Sequence, residues 1–193
     1  MEDFKSIKVK VREQRKLGET KLKVKNPTTY KLIGQGAQGA VFKLSSKRCV
    51  KIYAKKTSAK KELKAIEAGQ RMSFMPKLYE SAPTYIVMEY IKGKDLKRHL
   101  RKHGEVSELI VKQVLDILSN MKKLKFTRLD MRLRHILVTK DEELKVVDHV
   151  NAYTTKSSKP RLFLKDLKRE KLLKPFLKEV KKIDRALYKE WRR

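Results

Sequence analysis

The chain has 193 residues, and 40% of them are apolar, so it can build a core and is not an intrinsically disordered chain. Lysine and arginine (51) outnumber aspartate and glutamate (22), which gives a formal charge of +29. This charge predicts polyanionic neighbours, such as nucleic acid, ribosomes, an anionic membrane surface or acidic proteins. A general lysine bias of the source organism is the alternative explanation.

The N-terminal half has the pattern of a β-rich domain. Residues 1–26 are lysine-rich with some alternation, which indicates short exposed strands or a basic N-terminal extension. Residues 27–91 form the predicted N-lobe, with one helix over SAKKELKAIEAG that Ser58 caps and Gly69 ends. The predicted strands of this lobe are TYKLIG, AVFKLS, RCVKIY, PKLYES and TYIVMEYI.

The C-terminal half, residues 92–193, changes to a helical period. Apolar residues recur three and four positions apart from Val106 to Leu124, which predicts a long helix with one buried face. Two β-like runs, HILVT and LKVVDHV, follow, and the tail is predicted to be helical with a break at Pro175. The order of elements therefore predicts an α+β chain.

The single cysteine, Cys49, excludes an internal disulfide and predicts a reducing, cytoplasmic location. The N-terminal sequence MEDFKSIKVK has no apolar signal core, and no stretch approaches the length of a membrane span. We therefore expect a cytoplasmic protein with no transmembrane segment.

Gly34, Gly36 and Gly39 form a G-x-G-x-x-G pattern, with Val41 two residues beyond. In a dinucleotide-binding fold the third glycine begins a helix, whereas here it begins a β-like run. This context favours a glycine-rich hairpin whose backbone N–H groups approach phosphate. A plain glycine turn is the alternative, but it does not require the second β run that carries Lys51.

Six motifs in order, from about residue 30 to 150, resemble a protein kinase of the minimal, atypical kind, similar to RIO-type and small bacterial serine/threonine kinase-like proteins. They are GQGAQGAV (Gly-rich loop), CVKI (phosphate-binding lysine), KELKAIEAG (helix αC), IVMEYIKGKDL (hinge), RLDMRLRHILV (catalytic loop) and KVVDHV (metal-binding segment). The resemblance implies a two-lobed protein kinase-like fold with a β-rich N-lobe and a reduced helical C-lobe.

In the N-lobe the resemblance implies a site for ATP. Lys51 would neutralise the α- and β-phosphates, and Glu62 would hold it by an ion pair. Glu67, near the helix end, is the alternative partner. Met88 would be the gatekeeper residue, and the backbone from Glu89 to Ile91 would contact adenine.

In the C-lobe, Asp130 would orient the acceptor hydroxyl and take its proton, and Arg132 would stabilise the γ-phosphate. Asp148 would bind Mg²⁺ on the ATP phosphates; an ordinary strand-end aspartate is the alternative. His135 replaces a metal-binding asparagine, and imidazole suits Mn²⁺ better than Mg²⁺. His135 could bind a second metal, hydrogen-bond Asp130 and contact phosphate, or fill space in a pseudokinase.

Three further positions depart from the kinase pattern. Leu129 replaces the arginine that receives an activation-loop phosphate, so regulation by loop phosphorylation is not expected. His149 and Val150 replace the Phe and Gly of D-F-G, which predicts one fixed conformation. Nothing after Val150 resembles an A-P-E segment, which puts a peptide substrate in doubt.

The predicted function is an ATP-dependent, serine/threonine protein kinase-like phosphotransferase that acts on an unknown acceptor protein or small molecule, with Mg²⁺ or Mn²⁺. A nucleotide-binding pseudokinase that docks on RNA or a ribosome is the alternative. Retention of Lys51, Glu62, Asp130 and Asp148 favours the enzyme. A small-molecule kinase of the aminoglycoside or choline group is a third hypothesis, but the acidic substrate cleft usual in that group disagrees with this basic chain.

Overall fold

The computed structural model describes residues 3–12, 21–154 and 156–192. These residues belong to two compact units, the first within 1–70 and 76–90 and the second within 71–75 and 91–193. The first unit is β-rich and the second is mostly helical. This confirms the predicted α+β class with a β-rich N-lobe and a reduced helical C-lobe. The division into 1–26, 27–91 and 92–193 stays a prediction.

The first unit is built mainly from antiparallel strands. Its elements are a short 3-10 helix (Phe4–Ser6), β1 (Lys8–Val11), β2 (Leu22–Lys25), β3 (Lys31–Gln35), β4 (Gly39–Lys43), β5 (Arg48–Tyr53), α1 (Lys56–Ala68), β6 (Leu78–Ala82) and β7 (Tyr85–Glu89). β1 pairs with β2, and the other five strands form one sheet in the order β3-β4-β5-β7-β6.

The N-terminal hairpin shares its core with the five-stranded sheet. Alternation along each strand sends every second side chain to the same face. The buried cluster that results contains Ile7, Val9, Ala40, Phe42, Val50, Ile52 and Val87. The β1–β2 hairpin is therefore anchored to the sheet by the same apolar burial that holds the sheet's own strands together.

Helix α1 begins before the position that the sequence predicts. Lys55 is the N-cap residue and makes no side-chain capping bond, so the prediction that Ser58 caps the helix is wrong. The first N–H groups of an exposed helix end can be satisfied by water. The helix therefore begins without a side-chain cap, while Gly69 follows its last residue as predicted.

The second unit contains five helices and a small sheet among its described residues. The elements are β8 (Gly93–Asp95), α2 (Leu96–His103), α3 (Glu108–Lys123), a 3-10 helix (Leu133–His135), β9 (Ile136–Thr139), β10 (Leu144–Val146), α4 (Arg161–Arg169), α5 (Leu173–Ile183) and α6 (Arg185–Trp191). The sheet is antiparallel in the order β10-β9-β8. Helix α3 confirms the long helix predicted from the apolar period.

The tail is helical, but Pro175 does not break it. Pro175 is the third residue of α5, within the first turn, where the N–H that proline lacks would have no helical acceptor. The breaks fall instead between α4 and α5 and at Asp184, whose carboxylate caps α6. Within the described part of the chain, no helix is both long and apolar enough to cross a membrane.

Candidate functional site

The glycine motif forms the turn between β3 and β4, and Gly39 begins a strand rather than a helix. The Gly36 N–H donates to the Gly39 carbonyl at 3.0 Å. A Cβ on Gly39 would lie 2.4 Å from the carbonyl oxygen of Ile52, so the approach of β5 requires glycine there. A Cβ on Gly36 would meet no atom within 4 Å, whereas one on Gly34 would touch Val41 at 3.8 Å. Gly39 therefore allows β4 and β5 to pack closely, and no other described part of the chain contacts the turn at the Gly36 Cβ position.

Lys51 on β5 and Glu62 on α1 form a buried ion pair. Their side chains are joined by a 2.6 Å contact from Lys51 Nζ to Glu62 Oε2, and the two residues are 8% and 1% exposed. The Tyr53 hydroxyl donates to the same Oε2 atom at 2.9 Å. Glu67, the alternative partner, is exposed. Sequence reasoning missed Tyr53, although its place two residues after Lys51 puts both on the same face of the strand.

The predicted hinge begins within β7 and continues past its end. Met88 and Ile91 are buried. The Glu89 N–H donates to the Lys77 carbonyl at 2.8 Å, and the Tyr90 N–H donates to a carbonyl in the β4–β5 turn at 2.9 Å. These two N–H donors are therefore used within the first unit, while a contact of adenine with the backbone from Glu89 to Ile91 stays a prediction.

Burial raises the pKa of the Cys49 thiol to about 12, and the nearby Glu89 carboxylate adds to the effect. The thiolate is the reactive form, so little of it is present near neutral pH. We expect native protein at pH 8 to react with iodoacetamide more than about 100-fold more slowly than protein unfolded in guanidinium. Intact mass spectrometry over time measures this directly because Cys49 is the single cysteine. Equal rates would contradict the buried position.

The predicted catalytic segment is held by the chain that follows the metal-binding segment. The Thr127 and Arg128 N–H groups donate to the Ala152 carbonyl at 2.9 and 3.1 Å. The Leu129 N–H donates to the Ser157 carbonyl, and the Ser157 N–H donates back to Thr127, both at 2.9 Å. Leu129 itself is buried. The position where kinases carry a phosphate-receiving arginine is here part of the packing.

Asp130 is partly buried and is oriented by the start of α4. The Leu162 N–H donates to Asp130 Oδ1 at 2.7 Å. Burial raises the pKa of the Asp130 carboxyl, while the Leu162 hydrogen bond and the charge of Arg128 oppose that shift. A carboxylate with a raised pKa is a better proton acceptor than an exposed one.

Arg132 is paired with a carboxylate that sequence reasoning missed. Its Nε donates to Asp166 Oδ2 at 2.8 Å, and the Leu133 N–H donates to the same oxygen at 3.3 Å. Asp166 is 7% exposed, on the face of α4 that also buries Phe163 and Leu167. The sequence signal that could have indicated this pair is the position of Asp166 on the apolar face of a helix. A contact between Arg132 and the γ-phosphate stays a prediction.

Asp148 and His135 lie side by side. The Val147 N–H donates to the His135 carbonyl at 2.9 Å, and His135 Nε2 is 3.7 Å from Asp148 Oδ2. Asp148 has φ 69°, in the left-handed region that aspartate tolerates better than most residues. Such a conformation is sparsely populated and is common at functional sites.

Arg134 also approaches His135, at a nitrogen that a metal would use. Arg134 Nε donates to His135 Nε2 at 3.2 Å. Accepting this hydrogen bond requires an unprotonated Nε2, which is also the form of the nitrogen that binds a metal. Among residues 3–12, 21–154 and 156–192, no three His, Cys, Asp or Glu side chains are grouped as a metal site would need. Further ligands for a metal at His135 and Asp148 would have to be of another kind, such as carbonyl oxygens, waters or phosphate oxygens.

The segment after Asp148 is packed into the second unit. His149 and Val150 are 4% exposed. The His149 Nε2 atom is 2.9 Å from the Val146 carbonyl oxygen, and the Ala152 N–H donates to the His149 carbonyl at 3.0 Å. The single fixed conformation of this segment stays a prediction.

No protein-family model matches the chain. One curated relative is YrzF of Bacillus subtilis, whose name assigns it provisionally to the serine/threonine-protein kinases; it is 30% identical over 131 residues, which cover 65% of this chain and 61% of YrzF. The serine/threonine-protein kinases cot-1 of Neurospora crassa and CBK1 of Pneumocystis carinii are 29% and 28% identical over 74% and 72% of this chain. The matches span 30% and 33% of those two proteins.

The β-rich and helical units and the named relatives agree on one class, a kinase-like protein. The resemblance to the protein kinase-like superfamily that the motifs predict is therefore confirmed. The chain spans about three fifths of the length of its Bacillus relative and about a third of the length of the two fungal relatives.

Proposed function

We propose that the chain is an ATP-dependent, serine/threonine protein kinase-like phosphotransferase that moves the γ-phosphoryl group of ATP to a hydroxyl acceptor. The observation that supports this most is the buried pair of Lys51 and Glu62. A buried ion pair adds little to stability compared with apolar residues of the same volume. A phosphate-binding role gives a reason for the pair that stability does not.

Lys51 would contact the ATP phosphates as a fixed cation, since Glu62 and Tyr53 limit the positions its Nζ can take. The uncovered turn at Gly36 would let backbone N–H groups approach the same phosphates. The backbone from Glu89 to Ile91 would contact adenine, and Met88 would lie behind the base.

Asp148 and His135 would hold the metal ion. Their nearest donor atoms are 3.7 Å apart, so both can lie about 2.1 Å from one cation. An oxygen and a nitrogen donor together suit Mn²⁺ better than Mg²⁺. The bound ion would neutralise charge on the phosphates. Arg134 would have to release His135 Nε2 for the imidazole to take part.

Asp130 would orient the acceptor hydroxyl and accept its proton, since its carboxylate is fixed by the Leu162 N–H and its pKa is raised by burial. Arg132 would act mainly on the position of this segment, through Asp166.

The first test is transfer of label from γ-labelled ATP, with Mg²⁺ and with Mn²⁺, beginning with autophosphorylation. Asp148→Asn tests the metal ligand because asparagine also tolerates a positive φ. We expect this variant to lose more than about 99% of transfer, and native protein to be more active with Mn²⁺. Asp141→Asn is the control because Asp141 is an exposed aspartate of the same unit. Equal transfer by native protein and Asp148→Asn would reject the site.

A nucleotide-binding pseudokinase that docks on RNA or a ribosome is the second candidate. The contact from Arg134 to His135 Nε2 favours it because that contact occupies the donor atom a metal would need. In this case ATP would raise the melting temperature, and no transfer would be detected with either metal. Transfer that depends on Asp148 would reject it.

A further inference from the structure

The N-terminal hairpin carries a regular row of positive charge on its outer face. Lys8 pairs directly with Lys25, and Lys10 pairs with Lys23. All four side chains are exposed. The intervening residues point the other way, and Val9 is buried in the core. We call the four lysines the lysine ladder.

The lysine ladder costs stability and is not needed by the fold. Like charges directly opposite each other on neighbouring strands repel, whereas any small polar residue would satisfy an exposed strand face. Asp3 is the one acidic residue of the described segments 3–12 and 21–31. Within these described segments Asp3 is therefore the one carboxylate beside the ladder, and a polyanion bound there would relieve the repulsion.

The ladder has the dimensions of a site for a linear anion. Alternate residues of a strand are about 6.8 Å apart, and neighbouring strands are about 4.8 Å apart. Arg12 and Lys21 follow the last paired positions, and the Arg12 N–H donates to the Lys21 carbonyl at 2.8 Å. From position 8 to position 12 the cationic face therefore extends about 14 Å.

At its far end the cationic face meets a cavity of ≈ 390 Å³, which is lined by Arg12, Lys21, Leu22, Gln35 and Gly36. Gln35 Nε2 donates to the Leu22 carbonyl at 3.3 Å, so the hairpin is tied to the glycine turn here. The cationic surface thus ends in a concave basic site.

We propose that the lysine ladder binds the phosphate backbone of single-stranded nucleic acid. Repeated phosphates match a row of identical cations, and lysine contacts phosphate as a point charge that needs no fixed geometry. A membrane surface fits less well because most apolar residues of β1 and β2 are packed inward, and Val11, 40% exposed, is the one large apolar side chain that these strands expose. The proposal is independent of phosphotransfer.

The experiment measures fluorescence anisotropy of a labelled 12-nucleotide oligo(U) RNA from 50 to 300 mM KCl. The test variant combines Lys8→Gln, Lys10→Gln, Lys23→Gln and Lys25→Gln. Each phosphate contact in single-stranded nucleic acid contributes about 0.7 to the slope of log K against log salt. We expect the slope to fall by about 2–3 and the affinity at 50 mM KCl to fall more than about 30-fold.

The matched control replaces four exposed lysines of the same unit by glutamine: Lys55, Lys56, Lys60 and Lys61. It removes the same net charge, and we expect its affinity to fall less than about 3-fold. Equal losses in the two variants would overturn the proposal in favour of diffuse attraction. Binding to phosphatidylserine vesicles with no binding to RNA would also overturn it.

A folding defect would not hide the answer. The ladder variant should melt at or above the native temperature because it removes two repulsive pairs. A charge-preserving variant with four Lys→Arg changes should keep the salt slope, and Lys8→Gln with Lys25→Gln should lower it by about 1.4. Loss of the slope in the arginine variant, or no change in the two-lysine variant, would reject the ladder. ATP binding and label transfer should be the same in all of these variants, which separates this test from that of the phosphotransferase.

Discussion

Glu62→Ala will lower the free energy of unfolding of the first unit by about 3–5 kcal/mol and will abolish label transfer from ATP. The substitution removes the carboxylate that lies 2.6 Å from Lys51 Nζ and accepts the Tyr53 hydroxyl. Because Lys51 is 8% exposed, water cannot fully replace that carboxylate. Urea unfolding of the native protein and the variant, followed by circular dichroism, measures the loss in the free energy of unfolding.

The double variant Lys51→Met, Glu62→Leu separates stability from function. Replacing both members of a buried ion pair with apolar side chains of similar volume is often neutral or stabilising. We therefore expect the double variant to unfold within about 1.5 kcal/mol of the native protein and to remain inactive. Glu67→Gln, at an exposed position of the same helix, should change stability by less than about 0.5 kcal/mol. A stable and active double variant would contradict the proposed role of Lys51.

The sequence was sufficient to predict the pair itself and the elements that carry it. A lysine in a β run and a glutamate in the next helix are both local patterns, and the place of Glu67 near the helix end made it the weaker candidate. The role of Tyr53 was harder to predict from the sequence, because a tyrosine at the end of a buried strand is ordinary core packing in most proteins. Its hydroxyl gains a specific role only when helix α1 brings Glu62 to it.

The ends of the helices were also not predictable from local sequence patterns. A serine before a helical pattern and a proline within one are local signals, and they predicted a cap at Ser58 and a break at Pro175. In the structure α1 begins at Lys56, before Ser58. Pro175 lies in the first turn of α5, where proline is tolerated. Helices in proteins are stabilised mainly by the packing of their buried faces, and packing depends on residues that are distant in the sequence.

The partner of Arg132 could not be predicted for the same reason. Asp166 lies 34 residues after Arg132, beyond the whole metal-binding segment. The apolar period of α4 places Asp166 on a buried face, which indicates that it has a partner. The period does not identify that partner, because the sequence leaves several arginines and backbone N–H groups as candidates.

Asp166→Ala will release the catalytic segment, with two separable effects. It removes the acceptor of Arg132 Nε and of the Leu133 N–H, and we expect a loss of about 2–3 kcal/mol in the stability of the second unit. Because Asp130 lies two residues before Arg132, its carboxylate will be less well positioned. We expect label transfer to fall more than about 100-fold, since small displacements of reacting groups are costly.

Amide hydrogen exchange of residues 128–135 distinguishes loss of position from global unfolding. Under native conditions we expect exchange in this segment to accelerate more than in α3 or in the β8–β10 sheet. Asp166→Asn keeps an acceptor oxygen and should restore part of the activity, and Asp141→Asn is the exposed control. Normal protection of residues 128–135 together with lost activity would mean that Asp166 does not act by holding Arg132 and Leu133.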